Sequence, residues 1–175
     1  YYARVLKGDD GVALEILADI LLNSSFDDAD LDREREVILQ EIAGAQDSPD
    51  DIVFDLNHAS AFPNQAVGRP ILGTRKSVGA MTSGDLRGYL AERYHPNAMV
   101  VSAAGAIDHE KLVRHVEALF GGLAPGRAGG EVRAQYVGGV SAYDKPFEQS
   151  HIVIGLPSAA YGDHDFYAGQ VFAGL

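Results

Sequence analysis

The sequence predicts an α+β fold: a mixed or antiparallel sheet with helices packed on one face, followed by the start of a second, similar domain. Two observations support this prediction. Segments whose apolar residues recur at helical spacing alternate with short runs of small and β-branched apolar residues. The stretch APGRAGG, residues 124–130, combines a proline and three glycines without a bulky apolar residue, and it separates the last elements from the others.

Six helices are predicted from apolar periodicity and from the residues that typically start and end helices. They run to about Leu22, from behind Asp27 or Asp28 to Asp47, from Ser48 to about Phe62, from Thr82 or Ser83 to about His95, from Asp108 to about Phe120, and from Asp163 onward. Ser48 and Asp108 are typical N-cap residues, and Pro49 fits the first helical position. Residues 63–78 show no sustained period, so they are predicted as an ordered loop.

Four strands complete the predicted fold, at residues 1–6, 98–107, 133–141 and 149–156. The second is an almost uninterrupted run of small and apolar residues, which is typical of a covered strand. These elements divide the chain into three parts. Residues 1–123 are predicted as the C-terminal part of a first α+β domain, residues 124–132 as a linker, and residues 133–175 as the beginning of a second domain.

Composition excludes several classes of function. The formal net charge of −11 argues against nucleic-acid binding. Residues 1–55 hold 15 acids against 4 bases and so carry the whole net charge, which indicates either simple solubility or a field that attracts cationic peptides. Without cysteine there is no disulfide and no thiolate zinc site. No apolar run approaches the roughly 20 residues of a membrane span, and we expect a cytoplasmic protein that does not bind membranes.

Two glutamates on the second predicted helix are the candidate site residues. Glu34 and Glu41 lie seven positions apart, about two turns, so their side chains leave the same side of the helix about 10 Å apart. Both border its apolar stripe, whereas Glu36 points to the other side. A carboxylate beside a half-buried stripe is paired, hydrogen-bonded or metal-bound. Solvated glutamates with partners one turn away would show the same pattern.

Four blocks of sequence resemble the pitrilysin-type peptidases, family M16, which include the mitochondrial processing peptidase and insulin-degrading enzyme. These blocks are EREVILQEI, DSPDD, GRPILGT and YHPNAMVVSAAGAI, and their order and spacing match across essentially the whole chain. The resemblance implies that Glu41 is the distal ligand of a catalytic Zn²⁺. It implies that Glu34 is an auxiliary carboxylate that orients a metal-bound group.

The family's other two zinc ligands and its general base come from an upstream HxxEH motif, which this sequence does not contain. Its six histidines, at positions 58, 95, 109, 115, 151 and 164, form no HxxEH or HExxH pair. The resemblance therefore implies part of a longer zinc endopeptidase that cleaves peptides or small unfolded polypeptides, and this part alone is expected to be inactive. A homodimer and a paired subunit of the same family are both compatible with it.

Two alternatives remain open. The first is a non-catalytic binding subunit of the same fold, because partner subunits in this family often lack the zinc residues. Retention of both Glu34 and Glu41 favours the enzyme. The second is a calcium or magnesium site at the two glutamates, although the sequence does not cluster the several oxygen ligands that such cations require.

Overall fold

The computed structural model describes residues 1–126, 130 and 132–174. Its α-helices are α1 (Asp10–Leu22), α2 (Asp28–Asp47), α3 (Pro49–Ala61), α4 (Arg75–Ala80), α5 (Ser83–Arg93), α6 (His109–Phe120) and α7 (Phe166–Ala173), with short 3-10 helices at Ala66–Gly68 and Pro96–Ala98. The chain forms two compact units, one of residues 1–34 and 80–131 and the other of residues 35–79 and 132–175. The boundary between them falls inside α2. None of these helices is long and apolar enough to span a membrane.

The predicted α+β fold is wrong for this structure, since no strand is present in the described part of the chain. Of the predicted strands, residues 1–6, 99–107, 133–141 and 149–156 are non-helical, and Ala98 ends the second 3-10 helix. Their β-branched side chains favour an extended backbone, but no ladder of backbone hydrogen bonds forms along them. Val100 and Val140 are almost fully exposed. A β-strand forms only when its backbone hydrogen-bonds to a neighbouring strand. Apolar and β-branched side chains favour an extended backbone, but they do not supply that neighbour.

The starts of α3, α5 and α6 follow the predicted capping chemistry. Ser48 Oγ accepts a hydrogen bond from Asp51 N at 3.4 Å, and Asp108 Oδ1 accepts one from Lys111 N at 2.8 Å. At the start of α5, Thr82 and Asp85 form a reciprocal capping box. The Thr82 hydroxyl, and then the Thr82 backbone N–H, lower the pKa of Asp85 below its ordinary value by hydrogen bonding to the carboxylate.

Within the first unit, α1 packs against α6. Leu14 and Ala18 on α1 are buried, and Gly11 lies against the His115 ring, where an added Cβ would be 3.4 Å from Cε1. His115 Nε2 is 3.6 Å from Glu15 Oε1. These contacts make α1 and α6 the packed centre of this unit.

The second unit contains the C-terminal part of α2, then α3 and the 3-10 helix Ala66–Gly68, which packs on the end of α3. Ile42 on α2 and Ala61 on α3 are its buried apolar residues. Gly68 has no room for a side chain, because an added Cβ would lie 2.2 Å from Phe62 O. The predicted loop at residues 63–78 is wrong in part: it contains this turn and most of α4.

The predicted linker and domain limits remain a prediction. Residues 127–129 and 131 of that linker lie outside the described residues. The last helix begins later than expected, at Phe166 rather than behind Asp163. Asp163 Oδ2 instead accepts a hydrogen bond from Ala160 N at 2.8 Å, which closes a turn before the helix.

Candidate functional site

The α2 helix carries both predicted site residues, and its N-terminal turn is rich in acidic residues. Asp27 Oδ1 accepts a hydrogen bond from Ala29 N at 2.9 Å. Asp28 and Asp30 lie in the first turn, where negative side chains stabilise the positive end of a helix. Asp30 also forms an ion pair with Arg33. The acidic residues of this first turn therefore stabilise the N-terminal end of α2.

Glu34 and Glu41 are both exposed. Neither carboxylate forms a hydrogen bond or an ion pair with any residue that the structure describes. They lie seven residues apart on one continuous helix, with the buried Ile42 beside Glu41. Both carboxylates are thus available to an incoming ligand, in contrast to Asp30.

The end of α2 is held by charges from a distant part of the second unit. Lys145 Nζ donates a hydrogen bond to Gln46 O at 2.9 Å and pairs with Asp47. A cation in this position stabilises the negative end of a helix. Just beyond, His151 Nδ1 lies 2.8 Å from Asp50 Oδ1. The Lys145–Asp47 ion pair and the contact between His151 and Asp50 therefore hold the segment around residues 145–151 at the junction of α2 and α3.

The histidines do not complete a metal site around Glu41. Among residues 1–126, 130 and 132–174, no group of three or more histidine, aspartate or glutamate side chains could hold a metal ion. His115 and His151 are engaged with Glu15 and Asp50, while His95 is buried in the first unit. An unpaired carboxylate oxygen is a suitable zinc donor, so Glu41 fits as one ligand of a larger set.

Each unit has an open groove, and neither Glu34 nor Glu41 lines these two grooves. In the second unit a groove of about 620 Å³ runs along α3 past Leu56 and Val153. In the first, a groove of about 720 Å³ is lined by Leu14 and the segment around residue 100. At its edge the Tyr94 hydroxyl lies 3.4 Å from that of Tyr1, a hydrogen bond that raises the pKa of Tyr94.

Comparison with protein families shows which family the chain belongs to. Residues 1–75 match the family described as Insulinase (Peptidase family M16), and residues 80–175 match the Peptidase M16 inactive domain. The chain belongs to peptidase family M16. The resemblance in the four sequence blocks is therefore confirmed.

Individual M16 relatives agree with this assignment. An uncharacterized zinc protease of Rickettsia felis is 38% identical over 92% of this chain and 39% of its own length. One from Streptomyces coelicolor is 38% identical over 96% of this chain and 39% of its own length. A probable mitochondrial-processing peptidase subunit beta of Arabidopsis thaliana is 43% identical over 69% of this chain and 23% of its own length. The chain thus spans about two fifths, or less, of these relatives.

Solved structures share the fold of this M16 chain. A chain of complex III2 from Candida albicans, bound to Inz-5, has a TM-score of 0.64 and 22% identity, covering 77% of this chain and 33% of that one. An M16-like peptidase from Alicyclobacillus acidocaldarius has a TM-score of 0.61 and 24% identity, covering 74% of this chain and 30% of that one. At such identities the likeness concerns the fold alone.

The contacts that position α2 join residues that are far apart in the sequence. Lys145 and Asp47 are 98 residues apart, and Arg87, which contacts the chain just before α2, lies 62 residues from Ser25. No local pattern specifies such pairs. The charged residues themselves are visible in the sequence, but their partners emerge only from the folded chain.

Proposed function

We propose that the full-length protein containing this M16 chain is a zinc-dependent endopeptidase that cleaves peptides or small unfolded polypeptides. The observation that carries the proposal is the state of two carboxylates on α2. Glu34 and Glu41 are exposed and have no partner among the described residues, whereas Asp30 and Asp47 on the same helix are paired. The names of the zinc protease relatives add support.

In this proposal each glutamate has a separate role. The Glu41 carboxylate donates an oxygen to Zn²⁺, and Glu34, two turns earlier, holds a metal-bound group in place through a hydrogen bond. When bound, the zinc ion acidifies a water molecule and polarises the peptide carbonyl. The two histidine ligands and the general base come from an HxxEH motif elsewhere in the full-length protein, as the family resemblance implies.

Three substitutions in the full-length protein test these roles. Glu41→Gln is expected to abolish peptide cleavage and strip most of the zinc, because an amide is a poor zinc donor. Glu34→Gln is expected to lower cleavage by about 10- to 100-fold while most of the metal stays bound. Glu36→Gln is the matched control, since Glu36 is an exposed glutamate on another side of the same helix. Cleavage of a fluorogenic peptide and atomic absorption provide the two readouts.

Normal cleavage and normal zinc content in Glu41→Gln would overturn the proposed function. Equal losses in Glu36→Gln would show that any loss of charge from α2 is harmful, so the roles of Glu34 and Glu41 would be unfounded. The 175-residue chain alone is expected to be inactive and to bind zinc weakly. A catalytic zinc site takes three protein ligands, and Glu41 is the one ligand assigned here.

A second candidate is a non-catalytic subunit that binds a peptidase of the same family. The Arabidopsis relative is named as a subunit of a processing peptidase, which supports assembly with a partner chain. Either way, we propose that the full-length protein pairs with itself or with another M16-type chain. Light scattering measures the assembly, and a dimer that lacks both zinc and cleavage would favour the binding subunit over the enzyme.

A further inference from the structure

The connection between α1 and α2 is held in place by two side chains of α5, all within the first unit. Ser83 Oγ donates a hydrogen bond to Phe26 O at 2.8 Å. Arg87 Nη2 donates to Ser25 O at 2.6 Å and, more weakly, to Phe26 O at 3.4 Å. Ser83 is 8% exposed, so its hydroxyl has little access to water. Two consecutive backbone carbonyls are therefore fixed from one helix.

Phe26 has an unusual backbone conformation at this point. Its φ is +45°, in the left-handed region that residues with a Cβ rarely adopt. Such a conformation persists where surrounding contacts over-determine it, and the bonds from Ser83 and Arg87 supply those contacts. The turn leads directly into α2, which begins at Asp28.

The direction of this turn determines where the first half of α2 lies. Glu34 is six residues into the helix, about 9 Å along its axis from Asp28. A tilt of about 10° at the turn would move Glu34 by about 1.5 Å at that rise per residue. A misplacement of about 1 Å in a catalytic arrangement can cost about 100-fold in rate. A small change at Phe26 is thus large enough to matter at Glu34.

We propose that Arg87 is a positioning residue for Glu34: by holding the carbonyls of Ser25 and Phe26 together with Ser83, it fixes the direction in which α2 leaves the turn. The proposal rests on the proposed function, because it assumes that Glu34 orients a zinc-bound group. It assigns no contact with substrate or metal to Arg87. Its effect passes entirely through the backbone of the turn and the first two turns of α2.

The test uses Arg87→Ala in the full-length protein, with Arg93→Ala as the matched control. Arg93 is on the same helix and pairs with its neighbour Glu92 at 3.0 Å, so its removal deletes the same charge without touching the turn. Amide hydrogen exchange at residues 25–31 is expected to accelerate in Arg87→Ala and not in Arg93→Ala. The turnover number, kcat, is expected to fall by about 10- to 100-fold, with KM nearly unchanged. Zinc content is expected to change little, because Lys145 holds the C-terminal end of α2, which carries Glu41, through Gln46 and Asp47.

A double mutant separates positioning from general destabilisation. If Arg87 acts through Glu34, adding Arg87→Ala to Glu34→Gln lowers kcat no further, because the group to be positioned is already disabled. Arg87→Lys keeps the charge and one donor and should fall between wild type and Arg87→Ala. It also provides a second variant if Arg87→Ala folds poorly.

Unchanged exchange at residues 25–31 in both Arg87 variants overturns the proposal. So does an equal further loss of kcat when Arg87→Ala is added to Glu34→Gln, since that result would indicate a structural effect independent of Glu34. A wild-type protein without zinc or peptide cleavage would instead overturn the proposed function, and with it the role given to Glu34. The exchange measurement would then still decide whether Arg87 holds the turn.

Discussion

Replacing Gln65 should release the start of the segment that follows residue 132 in the second unit. The Gln65 side chain pairs with both backbone groups of one residue: its Nε2 donates to Gln135 O, and its Oε1 accepts from Gln135 N, each at 2.7 Å. An amide side chain thus substitutes for the backbone of a neighbouring strand. The next contacts are a bond from Val137 N to Ala61 O at 2.8 Å and an edge-to-face packing of Tyr136 on Phe62.

The size of the effect follows from these two bonds. A typical intramolecular hydrogen bond contributes about 0.5–1.5 kcal/mol net, so Gln65→Leu removes about 1–3 kcal/mol of local stability. Gln135 is exposed, and water can replace the lost partner, which places the expected loss near 1 kcal/mol. Gln65→Glu should lower local stability less than Gln65→Leu, because a carboxylate still accepts the hydrogen bond from Gln135 N. Some stability is still lost, since the carboxylate repels Gln135 O, to which the amide donated.

Amide hydrogen exchange provides a local readout. A loss of about 1 kcal/mol corresponds to about fivefold faster exchange at Gln135 and Val137. The matched control is Gln40→Leu, which changes an exposed glutamine on α2 whose side chain has no hydrogen bond to any residue in the described ranges. Unchanged exchange at Gln135 in Gln65→Leu, or equal acceleration in the control, would refute the reasoning.

Two further predictions concern charge. The folded-state pKa of Asp85 is lowered, so its carboxylate stabilises the folded protein above the unfolded pKa of about 3.9, and this contribution is lost as pH falls through the folded value. The wild-type protein should therefore unfold at a higher urea concentration than Asp85→Asn near neutral pH. This difference in urea midpoint should shrink below about pH 4. If the full-length protein is the proposed peptidase, the concentration of acids in residues 1–55 should favour basic peptides. Its kcat/KM for a cationic peptide relative to a neutral one should then fall as the Debye length drops from about 10 Å at 0.1 M salt to about 3 Å at 1 M.

Helix starts were predictable because their chemistry is local. Ser48 and Asp108 cap helices as predicted, and where Thr82 or Ser83 was expected the cap is Thr82. An N-cap needs only a short polar side chain and the next three residues. The α4 helix was missed although Thr74 Oγ1 accepts from Ser77 N at 3.0 Å in the same manner. Six residues are too few to show a helical period, so the cap was the one available signal.

The strands were predicted from side chains alone, and this is where the reasoning was wrong. At residues 150–156 exposure alternates: Val153 is half-buried towards α3, while Ile152 and Ile154 are more than 80% exposed. The period of two is therefore real. A period of two shows that one side of an extended segment packs against the rest of the protein. For residues 150–156 the packing partner is helix α3 and not a second strand.

The candidate site shows the same division between local and distant information. The spacing of Glu34 and Glu41 is a local property of one helix, and the structure places both on a single continuous α2; their role in binding metal stays a prediction. The conformation of Phe26 is different in kind. Nothing in its neighbours predicts a φ of +45°, because the bonds that hold it come from Ser83 and Arg87. If those bonds set the direction of α2, residues that are remote in sequence control the site formed by Glu34 and Glu41. Substitutions at such remote positions should then change kcat although Glu34 and Glu41 themselves are unchanged.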